Sequence, residues 1–422
     1  MVDNNKKFGV VIATAMSVTV VVGAGLLALP GLSFAQAGRL GSLPWLLVAA
    51  LMVPLLEIFS FFSKKHPSAG GVVGYVRASL GSRMATVCEV IVLGTFTLGI
   101  PAIALIGGAY LQQSLMAAPV AAVALGMVTL AFVAGVVGLR LSGALQTGIA
   151  IAIVLGLVAV LSGFLTSSPV ATNDVSIAAN STLSGVLSAI PLILFAFTGW
   201  EMTAFLAEDM RNPQKDMATS IWASFLVVTC LYLGIAWAVA TYGTAEPGWT
   251  DAPVAKMAYV WLGADGERWV GFIAALLVIA NVIAAFVSAS RAIFSAGRDG
   301  LLPRFIGISN RQDQPIRAMA LTYILFTLVI LSTLTGLVKV DTLLQLAGQN
   351  FFVLYLLAAL GYTKLHLHSA RRWIGGFAVL LVAATMFLFS ALGLIYCAVL
   401  VAIGLCVSYL QSSPKARLIK VG

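Results

Sequence analysis

Charge is what this chain has least of. Asp, Glu, Lys and Arg make up 9% of its 422 residues, where a soluble domain carries about 25%. No polar block between its apolar runs is long enough to fold as a separate soluble domain, so the chain is expected to have lipid as its main solvent. Histidine occurs three times (His66, His366, His368), always between apolar runs. The four cysteines (Cys88, Cys230, Cys397, Cys406) fall within apolar runs, without paired or metal-ligand spacing. Neither a disulfide framework nor a metal site is therefore expected, and the thiols read as small buried hydrophobes. There is no phosphate-binding glycine loop ending in Lys-Ser/Thr and no nucleophile motif. Enzymatic chemistry, a bound cofactor and ATP-driven transport by this chain alone are not expected.

What is present is hydrophobic sequence, 60% of all residues. Twelve apolar spans can be drawn, near 8–35, 42–63, 84–114, 118–138, 144–166, 185–207, 217–241, 268–294, 317–337, 342–363, 373–390 and 392–411. A crossing helix needs about 20 apolar residues, which most of these supply. With the N-terminus placed in the cytoplasm, 20 of the 24 basic residues fall on the cytoplasmic side, and only Arg39, Lys256, Arg268 and Lys339 fall outside. Adding or removing one span would scramble that division, so the positive-inside rule supports both the count and two cytoplasmic termini. The net charge of +9 sits in short loops, which suits membrane orientation and anionic lipid better than nucleic acid. Lys6 and Lys7 precede a segment of full crossing length with no small-residue cleavage site, so the first span is expected to be retained. The largest outside loop, 242–267, is expected to shade an external vestibule, and 167–183, rich in Ser, Thr and Asn, to be solvated.

Two spans carry an oddity at their centres. Residues 13–30, ATAMSVTVVVGAGLLALP, hold Gly23-Ala24-Gly25 after Val22, and glycine is among the poorest helix formers. Residues 185–206 hold Phe197-Thr198-Gly199-Trp200-Glu201, including an acid in hydrocarbon. Interrupted spans at corresponding places in two halves of a chain point to a transporter site near the membrane midplane. Unwinding at Gly23–Gly25 would offer N–H groups and the positive end of a half-helix, which suit a carboxylate. Unwinding at Phe197–Gly199 would offer carbonyls, which suit an ammonium or a cation. Together they describe a clamp for a zwitterion. Small residues also permit close helix packing, but two clusters at matched positions favour the site.

Glu201 should face a cavity or the bundle interior, and three roles are open to it: proton carrier, strut for the broken helix, or substrate contact. Phe195, Phe197 and Trp200 flank the second break, where one of them would gate the cavity or stack on substrate and the others pack. Gly99 and Pro101 predict a kink in the third span. Gln345, Gln349 and Asn350 in the tenth span, and Asn281, Ser288 and Ser290 in the eighth, either line a pathway or bond between helices. Glu57 and Glu89, near span ends, are expected to snorkel or pair with Lys64, Lys65 or Arg83.

Four stretches resemble one family, in order and at the right spans. VVGAGLLALP (21–30) resembles the unwound Gly-x-Gly segment of the amino acid–polyamine–organocation superfamily. HPSAGGVVGYV (66–76) resembles its cytoplasmic Pro-x-Ala-Gly-Gly loop. FAFTGWEMTAFLAEDMRNPQKDMATSI (195–221) resembles its sixth-span signature, and SRAIFSAGRDGLLP (290–303) the end of its eighth span. The resemblance implies an all-α membrane protein of 12 helices with a LeuT-like 5+5 inverted repeat. Residues 1–166 would form the first repeat, 185–363 the second, and 373–411 a peripheral pair. It implies that Gly23, Ala24 and Gly25 meet the substrate carboxylate through backbone N–H, and Phe195, Phe197, Thr198 and Gly199 its amino group and side chain; Val22, just before the glycines, is counted with the substrate-binding residues. Glu201 would couple or brace, with Trp200, Gly99, Asn281 and Gln349 as gating positions.

The third-span sequence LGIPAIALIGGAYL (98–111) and the short length are most similar to bacterial exporters of methionine, leucine, isoleucine and valine. Several proton-coupled importers of the superfamily carry a lysine in span five; residues 144–166 contain none, which speaks against lysine-based coupling and favours Glu201 as the titrating group, with bracing still open to it. The expectation is a secondary transporter of neutral hydrophobic amino acids in a bacterial cytoplasmic membrane, an exporter by proton antiport. Its partners are the amino acid, protons and membrane lipid, with no nucleic acid. An importer or exchanger of the same fold, and a transporter-derived sensor or channel, are the alternatives.

Overall fold

The computed structural model describes residues 9–65, 71–114, 118–137, 143–167, 181–200, 210, 212–298, 300–310, 314–336 and 338–412. Its elements are helical. They run α1 (Val10–Ala37), α2 (Leu43–Lys65), α3 (Gly71–Leu80), α4 (Ser82–Ser114), α5 (Val120–Val137), α6 (Gly143–Thr166) and α7 (Leu183–Ala196). They continue as α8 (Pro213–Tyr242), α9 (Pro247–Asp251), α10 (Pro253–Arg298), α11 (Ile316–Thr333), α12 (Val340–Leu365), α13 (Arg372–Met386) and α14 (Ala391–Ser412). Among the described residues, ten helices are long and apolar enough to cross a membrane, by length and composition. Helices satisfy their own backbone groups, which is why apolar sequence in lipid takes this form.

Two compact units share these helices. The first comprises residues 1–71, 103–125 and 140–281, and the second 72–102, 126–139 and 282–422. Within the first, α1 is the interior element, packed by α8, α7, α6 and α9. Its most apolar window is 82% buried, against 33% for that of α6. A helix apolar all round and half exposed, like α6, has a face suited to lipid, whereas one buried all round lies inside the protein. Within the second unit α12 takes the interior place, packed by α13 and α14.

Several boundaries differ from expectation. The segment expected as a large outside loop, 242–267, is mostly helical, formed by α9 and the first turns of α10. Val254, Ala255, Met257 and Ala258 form a buried face there, and helix is the compact way to bury such a face while satisfying the backbone. Inside α10, helical geometry fails at Gly263, with φ 70° and ψ −158°, a conformation natural to glycine. The glycine-rich stretch 64–83 contains the helix α3; its residues 66–70 lie outside the described ones, as do 168–180 of the solvated loop. The eleventh span is a helix of 15 residues, shorter than a full crossing; the sixth shows a helix of 14 residues, and its residues 201–207 lie outside the described ones. Helix α4 runs through Pro101.

Candidate functional site

Both sequence oddities are interruptions in the backbone, and both lie in the first unit. Inside α1, Gly23 has φ −18° and ψ −147°, where two helical segments meet at a kink. Helix α7 starts at a Thr182 cap, whose side chain accepts from the Gly185 N–H at 3.1 Å. It stops at Ala196; Phe197–Gly199 are not helical, and Gly199 has φ 113°, which L side chains rarely adopt.

The interruptions adjoin. A Cβ added to Gly25 would lie 3.3 Å from the Cα of Ala196, the last residue of α7. The glycine thus sets how closely the two broken elements approach. A Cβ on Gly23 would lie 2.8 Å from the Asn281 Nδ2 of α10. Above both breaks stands Tyr232 of α8, fully buried. Its hydroxyl reaches the Val21 carbonyl at 2.7 Å and the Ala196 carbonyl at 2.9 Å, one acceptor from each broken element. A kink strips a carbonyl of its partner in the next turn, and a buried hydroxyl with two such acceptors answers that need.

Helix α8 is the splint for α1 along much of its length. The Ser220 hydroxyl, which donates to the Asp216 carbonyl of its own helix at 2.7 Å, lies 3.3 Å from the Val10 carbonyl. Beyond the kink, Tyr110 of α4 donates to the Leu27 carbonyl. At the far end, Arg39 reaches the Ala240, Thr241 and Gly243 carbonyls at 3.0, 2.8 and 3.1 Å, a cation on the negative end of α8.

Aromatic rings close over the breaks. Phe197 meets Tyr232 edge-on at 5.2 Å and Trp45 at 6.2 Å. Trp45 meets Tyr232 at 5.0 Å, and Trp200 meets Phe225 at 5.9 Å. Val22, Phe195, Phe197 and Trp200 are all buried. The carbonyls just ahead of the second break are taken up internally. That of Leu194 accepts from the Phe197 N–H at 3.2 Å. That of Phe195 accepts from the Thr198 N–H at 3.2 Å and from its hydroxyl at 2.7 Å. Tyr232 holds that of Ala196. The Thr198 hydroxyl is thus engaged in ending the helix.

Val22, Gly23, Gly25, Phe195, Phe197, Thr198, Gly199, Trp200 and Asn281 therefore belong to one unit, with the Ala24 backbone among them. Gly99 and Gln349 belong to the second. Gln349 is fully buried on α12, and its Oε1 occupies the place a Gly393 side chain would take on α14, so its amide packs between helices. Its neighbour Asn350 accepts from the Cys397 thiol at 3.0 Å, as interhelical bonding predicts. Glu201 lies outside the described residues. Sequence reasoning missed Tyr232, Trp45 and Tyr110: a tyrosine inside an apolar run has no local signal, and its value comes from what another helix leaves unsatisfied. Surface cavities of about 390 and 480 Å³ open at Leu367–Trp373 and Asp265–Phe272. Neither is at the breaks.

Membrane-crossing helices around two adjoining backbone interruptions are the construction of a multi-pass helical membrane transporter. The particular family follows from comparison: the chain matches the amino acid permease family over residues 8–409 and belongs to it. It is 28% identical over 397 residues to a Bacillus subtilis protein named uncharacterized amino acid permease YecA, covering 93% of this chain and 92% of that one. It is 26% identical over 359 residues to the L-methionine/branched-chain amino acid exporter YjeH of Escherichia coli, covering 82% and 83%. To the branched-chain amino acid permease BcaP of Bacillus subtilis it is 25% identical over 367 residues, covering 80% and 78%. This is a family of transporters rather than enzymes, with amino acids as substrates.

Proposed function

We propose that the protein exports neutral hydrophobic L-amino acids (methionine, leucine, isoleucine and valine) by proton antiport and alternating access. The fold we propose is the 12-helix LeuT-like one, residues 1–166 and 185–363 forming inverted repeats and 373–411 a peripheral pair. The membrane is a bacterial cytoplasmic membrane, with both termini in the cytoplasm.

The observation that carries this reading is the Tyr232 hydroxyl bridging the Val21 and Ala196 carbonyls, which makes the two breaks one locus. The substrate carboxylate is directed to the N–H groups at Gly23–Gly25, where a half-helix begins. The carbonyls of Leu194, Phe195 and Ala196 are engaged; the ammonium is directed to the non-helical backbone that follows, at Phe197 and Thr198. The apolar lining from Val22, Phe195 and Phe197 suits an aliphatic or thioether side chain and offers an acidic one no cation. Glu201, two residues after Gly199 in the sequence, carries the coupled proton, and Trp200, Gly99, Asn281 and Gln349 act in gating.

The printed names of two relatives, an exporter of methionine and branched-chain amino acids and a branched-chain permease, support the substrate class. Only the first of these names states a direction, which makes an importer or exchanger the second reading. Expression in cells loaded with labelled methionine tests it. Faster efflux, with no gain in uptake, is expected; accumulation of label on expression would reject export.

A further inference from the structure

Beyond the substrate site, we propose that the turn joining α12 to α13 is a binding site for the headgroup of an anionic phospholipid. The turn joins the candidate span Val340–Leu365 to the shorter apolar helix Arg372–Met386, so on the proposed 12-helix arrangement, on which this inference rests, it lies where a membrane meets water. A cavity of about 390 Å³ opens there, lined by Leu367, His368, Ser369, Ala370, Arg372 and Trp373.

The charge around it has one sign. Lys364, Arg371 and Arg372 are exposed at the turn, and the sequence carries no Asp or Glu anywhere after Asp341. Among the described residues no carboxylate pairs with any of these three cations. Arg372 is held in place: its Nη1 donates to the Leu367 carbonyl at 3.4 Å, and its guanidinium lies 5.1 Å from the Trp373 ring centroid. The Ser369 hydroxyl accepts from the Arg371 N–H at 3.1 Å. Guanidinium groups beside an open polar cavity are suited to phosphate oxygens.

A phosphate site alone would serve a soluble anion equally well. The apolar surface beside it decides for a lipid. Trp373, Phe377 and Leu380 stand at i, i+4 and i+7 on α13 and are 70%, 55% and 67% exposed. That spacing makes one stripe running from the basic turn along the helix. An aromatic ring at the interface with an apolar run beyond it is the place for an acyl chain. Headgroup and chain are thus matched by adjacent parts of one short helix and its preceding turn.

The test uses the purified full-length protein and reads binding, so it stands apart from any transport result. Native mass spectrometry with phosphatidylglycerol or phosphatidylcholine should show preferential retention of the anionic lipid by the wild type. Each cation near an anionic surface is worth about a fivefold gain in affinity, so Arg371→Gln/Arg372→Gln should weaken phosphatidylglycerol binding about 30-fold. Phosphatidylcholine, whose phosphate is offset by its own choline cation, should lose much less, so that the preference for the anionic lipid collapses. Trp373→Ala, which keeps the charge, should lower retention of both lipids. Equal retention of the two lipids by the wild type would overturn the site, as would an undiminished preference in the double variant. Displacement of phosphatidylglycerol by millimolar inorganic phosphate would reassign the cavity to a soluble anion and overturn the lipid assignment. If the double variant does not fold, wild-type retention in rising salt decides: the preference must fall as surface charges are screened.

Discussion

At the scale of single residues, each unusual side chain or glycine near the breaks answers a backbone need. Gly199 holds φ 113°, so Gly199→Ala forces a side chain into a strained region at about 1–3 kcal/mol; a thermal melt of the purified variant should fall accordingly. Gly25 has 3.3 Å between its virtual Cβ and the Ala196 Cα. An alanine there is nearly accommodated, whereas Gly25→Val presses two further carbons onto α7, with overpacking of about 1–3 kcal/mol. The valine variant is expected to insert into the membrane yet lose substrate binding, and unchanged affinity by equilibrium binding would refute that. Glu201→Gln is expected to keep counterflow of labelled substrate while removing the response of net flux to a pH gradient. Counterflow needs no net proton movement, so the two assays separate coupling from binding; an unaltered pH response would make the acid a strut.

Among the elements, the contrast is between interrupted α1 and α7 and uninterrupted α8. A kinked helix cannot hold its own line, so its geometry is set by what it leans on, here Ser220 and Tyr232 of α8. Removing the hydroxyl in Tyr232→Phe leaves the Val21 and Ala196 carbonyls without that donor while keeping the ring packed on Trp45 and Phe197. The expected loss is about 1–3 kcal/mol, the cost of buried groups left unsatisfied. Transport should fall more than stability does. A scanning melt paired with flux in proteoliposomes checks this, and full flux would show that the bridge is dispensable.

The elements were largely legible in the sequence because a crossing helix announces itself by length and apolarity alone. The breaks were legible too, since glycine-bearing stretches stand at matched places in the two halves, one of them beside an acid. What the sequence hid was tertiary. Tyr232 looks like any aromatic in an apolar run, and only the folded chain sets it against two carbonyls. The helical content of 242–267 was also hidden. There charged Lys256, Asp265 and Glu267 dilute the apolar face that Val254, Ala255 and Met257 bury.

For the whole molecule, membership of the amino acid permease family across residues 8–409 and the two adjoining breaks bear on one claim: exposed backbone polarity recognises the α-carboxylate and α-ammonium of a neutral amino acid. The most direct measurement is equilibrium binding of methionine, its methyl ester and its desamino acid to the purified protein. The ester and the desamino acid each remove one charged group while leaving the thioether chain unchanged. Charged hydrogen bonds are worth about 1.5–3 kcal/mol, so each analogue should bind at least about tenfold more weakly than methionine, and Gly25→Val should bind none of the three. Equal binding of methionine and either analogue would contradict the claim.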